Sequence, residues 1–194
     1  MSNNISNETL KKYAEIASEA FMSDPVYIGC SKNKKIRKLV AYHGTLIRMY
    51  ASRKRGFKFY FDEEGRGMMM LRPAHSEMSA AEFMKCPNAY ALVLLLPWAS
   101  RLLDVDSRCE NKKYFDEQTY IVSPVFVDVN HQGKGVAKKL IAQAAEDVKA
   151  MGCKLGLDTQ NSVNVPIYEK MGFKLFHQEL FEDINITNYH MILE

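Results

Sequence analysis

The chain is poor in cysteine, tryptophan and proline, with 4, 1 and 6 of them in 194 residues. Cys30, Cys86, Cys109 and Cys153 form no CxxC pair and follow no regular spacing. That excludes a disulfide framework of the secreted kind, and no Cys/His group has zinc-finger spacing. His43, His75, His177 and His190 form no ligand cluster by spacing, so no metal is expected. Long apolar runs are also missing. The longest, Ala89 to Pro97, falls far short of the ~20 residues that a membrane-spanning helix needs. The polar start, Met1 to Asn7, does not read as a secretory leader, so the expectation is a cytoplasmic protein with no membrane partner. Charge of one sign is scarce too. The 26 basic and 23 acidic residues leave +3, too little to imply a nucleic-acid partner. There are no internal repeats and no low-complexity stretches.

What is present is ordinary for a folded domain: 47% hydrophobic and 25% charged residues. That composition excludes a disordered chain, and a domain of this length needs neither disulfide nor metal to fold. The charge is unevenly shared. Residues 1–100 are net basic and residues 101–194 net acidic. The basic excess comes mainly from Lys32, Lys34, Lys35, Arg37 and Lys38, and from Arg53, Lys54 and Arg55. Such runs are expected to be solvated helix faces; the other reading is a steering patch for an anionic ligand.

Periodicity places the elements. Leu10, Tyr13, Ala14, Ile16, Ala17, Ala20 and Phe21 form one helical stripe, ended by Ser23-Asp24-Pro25. A second helix is expected from about Lys34 to Ser52. Phe57, Phe59 and Phe61 then alternate with Lys58 and Tyr60, a strand that turns through residues 62–67 into a second strand closed by Pro73. Ser79 to Cys86 reads as helix, and so does Ala89 to Arg108, with a break or kink at Pro97. Tyr120 to Val129 reads as a central strand. Val136 to Met151 follows as a helix closed by Gly152, Leu155 to Asp158 as a short strand, and Val163 to Met171 as a short helix. Phe173 to Leu180 and Ile186 to Leu193 close the chain as strands. This is a mixed α/β pattern in one domain.

The most informative segment is Val125 to Ala137. A buried strand runs into Gly133 and Gly135, and a helix begins at once. Glycine lets backbone approach a ligand closely. The first helical N–H groups have no intrahelical partner and lie at the positive end of the dipole. Together they suit a phosphate or pyrophosphate, with Lys134 and Lys138 adding charge. A Walker A loop is excluded because Lys134 is followed by Gly135. A dinucleotide GxGxxG is excluded because Lys138 stands at its third glycine.

Gln132-Gly133-Lys134-Gly135-Val136-Ala137 resembles the Q/R-x-x-G-x-G/A signature of the GNAT superfamily of N-acetyltransferases. Asn161 to Phe173, with Tyr168-Glu169-Lys170 and Gly172-Phe173, resembles the family's N-x6-Y-E-K-x-G-F block. Tyr189-His190-Met191 resembles the last strand of many members. More loosely, Ala20 to Pro25 resembles the Ala-Phe-x-x-Asp-Pro segment of one branch. The resemblance implies an α/β (α+β) single-domain GNAT fold over 1–194. Its mixed central β-sheet would be flanked by helices and splayed at a central strand where acyl-CoA enters. Pro124 would mark the bulge or splay. Residues 118–194 would bind acetyl-CoA and residues 1–117 would shape the acceptor side.

The same resemblance assigns roles. Gln132, Gly133, Lys134, Gly135, Val136, Ala137 and Lys138 would hold the pyrophosphate of coenzyme A. The backbone of Val125 and Val127 would pair with the pantetheine arm, and Asn161 would help to position it; alternatively, Asn161 is a turn cap. Tyr168 would protonate the leaving thiolate. By periodicity alone it reads as a core tyrosine. No carboxylate or His lies in the strand Thr119 to Pro124, so the general base is open between Glu117 and a water relay. His131 reads as a loop histidine. Phe21, Asp24, Tyr27 and Trp98 are candidates for the acceptor wall. The expected reaction is direct acetyl transfer in a ternary complex to a small-molecule or peptide amine, by a monomer or homodimer. The rivals are an acyl-CoA-sensing module that does not turn over, and a nucleic-acid binder using the basic helices.

Overall fold

The computed structural model describes residues 5–109 and 111–193; the polar start Met1 to Asn4 lies outside them. Helix α1 (Asn7–Ala20) begins where Ser6 caps it, its hydroxyl accepting from the Thr9 N–H at 3.0 Å. Its expected stripe is its buried face, with Leu10, Ala14 and Ala17 fully covered. Asp24 caps the short α2 (Pro25–Cys30), and Asn33 caps α3 (Lys34–Lys54). Gly44, in the middle of α3, has a packing reason. A Cβ there would stand 2.9 Å from Leu102 Cδ2, so the glycine lets a later helix approach closely.

Strands β1 (Lys58–Phe61) and β2 (Gly67–Pro73) form the expected hairpin. Its turn is tied by Asp62, whose carboxylate accepts from the backbone N–H of Glu64 and Arg66 and from Arg66 Nε. Helix α4 (Ala80–Met84) starts with a Ser79–Glu82 capping box. The next helical run breaks earlier than Pro97. Helix α5 (Ala89–Leu94) ends at Leu95, and α6 (Leu96–Arg108) carries Pro97 in its first turn. There the missing N–H costs no hydrogen bond, so the proline starts a helix rather than kinking one. Helix α7 (Asn111–Tyr114) leads to β3 (Thr119–Val127), followed by α8 (Val136–Ala150), β4 (Lys154–Thr159), α9 (Val165–Glu169), β5 (Lys174–Phe181) and β6 (Ile186–Leu193).

The six strands form one mixed sheet in the order β1-β2-β3-β4-β6-β5, antiparallel except for β3 beside β4. Side chains alternate across it. Met68, Met70 and Phe126 join the core under α1, α2, α3 and α6. Met69, Leu71, Val122, Leu155, Leu157 and Met191 join the core under α8. Helices therefore cover both faces, α1–α3 and α6 on one and α8 on the other.

The basic runs divide into an exposed part and an engaged part. Lys32, Lys34 and Lys35 are exposed, but Arg37 is buried and Lys38 pairs with Glu19. Arg53 donates to the Ile5 carbonyl and Asn7, and Arg55 to Glu82 and to the carbonyls of Ser76 and Glu77. These arginines staple the N-terminal helices to each other.

Candidate active site

The site is built where β3 leaves β4. The two pair only from Thr119↔Lys154 to Val122↔Leu157. On its other edge β3 pairs β2 throughout, but Leu71 faces Val122 while Met69 faces Val125. One extra residue is thus accommodated in β3, at Ser123-Pro124. Pro124 sits in this bulge, where no ladder donor is required. Beyond it, β4 continues beside β6 alone, with Asp158↔His190 and Thr159↔Tyr189. A gap opens between the two central strands.

The register decides what faces that gap. Asp128 N–H donates to the Arg66 carbonyl at 2.7 Å, so residues 126 and 128 turn their polar groups to β2. Val125 and Val127 then turn their N–H and C=O into the gap. Gln132 Nε2 donates to the Val127 carbonyl at 3.3 Å and ties the following loop to the strand end.

That loop reaches α8 through Gly133 at φ +75° and Gly135 at φ +80°. Nothing lies within 4 Å of a Cβ built at either position, so the demand for glycine comes from the left-handed backbone and not from crowding. The open space lies at the N-terminus of α8, whose first N–H groups face outward without helical partners. Val136 is 3% exposed, so its side chain belongs to the core and only its N–H is available there. Lys138 is exposed, whereas Lys134 Nζ donates to the Asn130 carbonyl at 2.9 Å and braces the loop. His131 is half-buried, 3.6 Å from the Asp128 carboxylate.

A cavity of about 150 Å³ lies in the gap, lined by Phe21, Asp24, Tyr27, Val125, Asp158 and Tyr168 among others. Tyr168, on α9, packs against Phe173 and the α8-side core. Burial, reinforced by the negative charges of Asp158 and Asp24, pushes its phenol up to about 12. The hydroxyl therefore holds its proton across the neutral range. Asp24 reaches the cavity while capping α2, its Oδ1 accepting from the Val26 N–H at 2.9 Å. Burial raises its pKa, against the lowering effect of the Val26 and Tyr27 N–H groups. Phe21 and Tyr27 stack at 5.4 Å, forming an aromatic wall.

A larger groove of about 580 Å³ opens on the α3/α6 face. It shares Arg48, Asp106, Cys109, Ser123 and Asp158 with the cavity, so the two are adjoining spaces. Arg48 and Asp106 form an ion pair across the groove. Burial pushes the Cys109 thiol far up, which leaves it protonated and a poor nucleophile.

Residues 91–173 match the family model described as Acetyltransferase (GNAT) family. An N-acetyltransferase from Staphylococcus aureus Mu50 superposes with a TM-score of 0.58 at 14% identity, covering 98% of this chain and 94% of that one. A PaiA N-acetyltransferase from Thermoplasma acidophilum, solved in complex with coenzyme A, gives 0.56 at 16% identity, covering 98% and 95%. This is the GNAT acetyltransferase fold. No curated protein matches the chain by sequence.

Within the GNAT fold, the sequence-derived candidates divide. Phe21, Asp24, Tyr27, Val125 and Tyr168 meet around one cavity. Gln132 to Lys138 form the loop and the first turn of α8 after β3 and do not line that cavity. Trp98 does not join them; it lies on α6, packed against the core of the α3/α6 face. Glu117 does not join them either. It is exposed before the N-terminal end of β3, while the gap lies at the C-terminal end. Asn161 acts as a turn cap, its Oδ1 accepting from the Val163 N–H at 3.2 Å, which is the alternative role given for it. Asp158 was missed. The only local signal was its place at the C-terminal end of a strand, where open α/β sheets gather ligands. Among the described residues, no group of three His, Cys, Asp or Glu side chains could hold a metal, and no helix is long and apolar enough to cross a membrane.

Proposed function

We propose that this protein transfers an acetyl group from acetyl-CoA to the primary amine of a small molecule or peptide, directly within a ternary complex. The observation that carries the reading is the β3 edge left unpaired beyond Val122, with Val125 and Tyr168 lining one cavity there and two left-handed glycines leading from the end of the same strand into α8.

Each part fits one section of the cofactor. The N–H groups at Gly135, Val136 and Ala137 suit the pyrophosphate, and the two left-handed glycines keep side chains out of its way. The edge of β3 offers the N–H and C=O pattern of a strand to the amides of the pantetheine arm. Bound acetyl-CoA supplies an activated thioester. Tyr168 keeps its proton up to about 12 and can hydrogen-bond the departing sulfur; because a free thiol, near 8.5, is the stronger acid, the proton moves only in step with C–S cleavage, as charge builds on sulfur. A donor for the developing oxyanion is available in the Val125 N–H. The aromatic wall of Phe21 and Tyr27 closes the acceptor side. With its thiol held protonated by burial, Cys109 does not suit an acyl-enzyme route.

The test pairs calorimetric titration of acetyl-CoA with thiol release over a panel of primary amines. Binding together with amine-dependent thiol release supports the proposal. Binding without release for any amine would favour the sensing role instead, and absence of binding would remove both.

A further inference from the structure

We infer that Asp158 receives the acceptor: it docks the incoming ammonium and takes the proton lost as the new C–N bond forms. This deepens the acetyltransferase reading and rests on it.

Register places the carboxylate. On β4, Leu155 and Leu157 turn to the α8 core, so Gly156 and Asp158 turn to the opposite face. A Cβ at Gly156 would stand 2.5 Å from Phe115 Cε1 on that face, and Asp158 sits opposite His190 in the ladder. Asp158 is also the first β4 residue beyond the last β3–β4 pair, Val122↔Leu157. It therefore stands at the lip of the gap and lines both the cavity and the 580 Å³ groove. Tyr168 enters the same cavity with the α8-side core. A thioester carbon in the gap would have the phenol on one side and the carboxylate on the other. An amine arriving through the groove meets Asp158 before it reaches that carbon.

Charge supports the same assignment. The arginines of the groove make their hydrogen bonds and ion pairs elsewhere, although the Asp158 charge acts through space on Arg72 and, more weakly, on Arg48. Arg48 pairs with Asp106, Arg55 holds Glu82, and Arg72 donates to the carbonyls of Pro73 and Ala74. Asp158 is instead held by neutral amides. Gln160 Nε2 donates to its Oδ2 at 3.1 Å. Asn111, with its amide turned to satisfy both neighbours, donates to Oδ1 at 3.3 Å and accepts from Arg72 at 2.6 Å. Among the described residues, no Lys, Arg or His forms an ion pair with Asp158. Gln160 is itself anchored, donating to Asn188 Oδ1 at 2.7 Å, and Asn188 bonds the buried His190. The carboxylate is oriented on its strand by neutral amides.

The docked ammonium releases one proton to water in the groove. The nitrogen lone pair attacks the thioester carbon, and the carbonyl π electrons move to oxygen. The second proton leaves nitrogen for the Asp158 carboxylate. The C=O re-forms, the C–S bond breaks, and the sulfur takes the Tyr168 proton. Asp158 then returns its proton through water to the phenolate. The products are the N-acetylated amine and free coenzyme A.

The experiment compares the wild type with Asp158→Asn and Asp158→Glu. In Asp158→Asn, kcat/KM for the best amine should fall at least about 100-fold, the scale of a lost acid–base group, with a raised amine KM. The acetyl-CoA Kd should stay within about threefold, since the carboxylate faces the acceptor and not the pyrophosphate. Asp158→Glu should restore part of the rate. Wild-type kcat and KM in Asp158→Asn overturn the proposal. If Asp158→Asn also loses acetyl-CoA binding, Asp158→Glu decides: measurable turnover supports the role and none overturns it. If the wild type turns over no amine, the transfer reading fails by itself. Titration of butylamine into the coenzyme A complex then tests Asp158. Binding by the wild type that Asp158→Asn abolishes supports the docking role; equal binding, or none in either protein, overturns it.

Discussion

The two faces of the sheet were assembled from very different lengths of chain. The α8 face draws its candidate groups from one stretch: the β3 edge, the glycine loop, the start of α8, and Tyr168 on α9. The opposite face gathers Asp24 from α2, Arg48 from α3, Arg72 from β2, Asp106 from α6 and Asp158 from β4. Short-range construction keeps spacing in sequence and geometry in space proportional, so a motif can be written in it. Long-range construction has no such spacing.

The predictions probe that contrast, beginning with the largest effect. Gly135→Glu places a side chain and a negative charge at the α8 N-terminus, in backbone at φ +80°. Acetyl-CoA affinity should fall by about 100-fold or more in calorimetry, because backbone strain, bulk and repulsion of phosphate act together. Retained affinity would detach the loop from the cofactor. Tyr168→Phe should lower kcat by roughly 100-fold while leaving acetyl-CoA affinity within about threefold, as loss of a proton donor predicts. A phenol held up to about 12 also means that the wild-type kcat should show no loss from phenol ionisation near neutral pH. An unchanged kcat in the variant would return Tyr168 to the core.

Asp24→Asn is the intermediate case. Asparagine keeps the cap on α2. The folded-state pKa of Asp24 is raised by burial, so ionising it opposes folding. That penalty is absent below the unfolded carboxyl pKa and appears as the pH rises above it. The variant should therefore match or exceed the wild-type melting temperature at pH 7, and the difference should vanish below about pH 4. Its amine KM should rise while acetyl-CoA affinity holds, which separates the acceptor face from the loop face. The smallest effect belongs to Glu117→Gln. Glu117 is exposed at the far end of β3, so kcat should change by less than about twofold, as for a surface group outside the site. A large drop in kcat would mean that the base reaches the gap from the wrong end of the strand.

Legibility followed the same division. Leu10, Ala14 and Ala17 were readable as the buried stripe of α1 because helical period maps directly onto a face. Gly133 and Gly135 were readable because only certain residues tolerate positive φ. Pro97 misled because the same residue breaks a helix interior and begins a helix, and only the ending of α5 at Leu95 separates the two. Arg37, Arg53 and Arg55 misled because charge alone reports neither burial, as at Arg37, nor partners, as at Arg53 and Arg55. The carbonyls of Ile5, Ser76 and Glu77 accept from Arg53 and Arg55 across the fold. Asp158 stayed hidden for a related reason. Pro124 marked the bulge, but nothing beside Asp158 in sequence shows that the gap it opens has Asp158 at its lip.

The sequence by itself determined the strand–glycine loop–helix unit, the alternation that builds both cores, and the tyrosine that follows them. Those depend on backbone conformation and side-chain period, which neighbouring residues fix locally. Tertiary structure alone decided that Asp24 and Tyr168 share one cavity and that Asp158 stands at its lip. Those depend on strand register and on helices brought together from distant parts of the chain, and burial then sets the proton affinities of the groups that meet there.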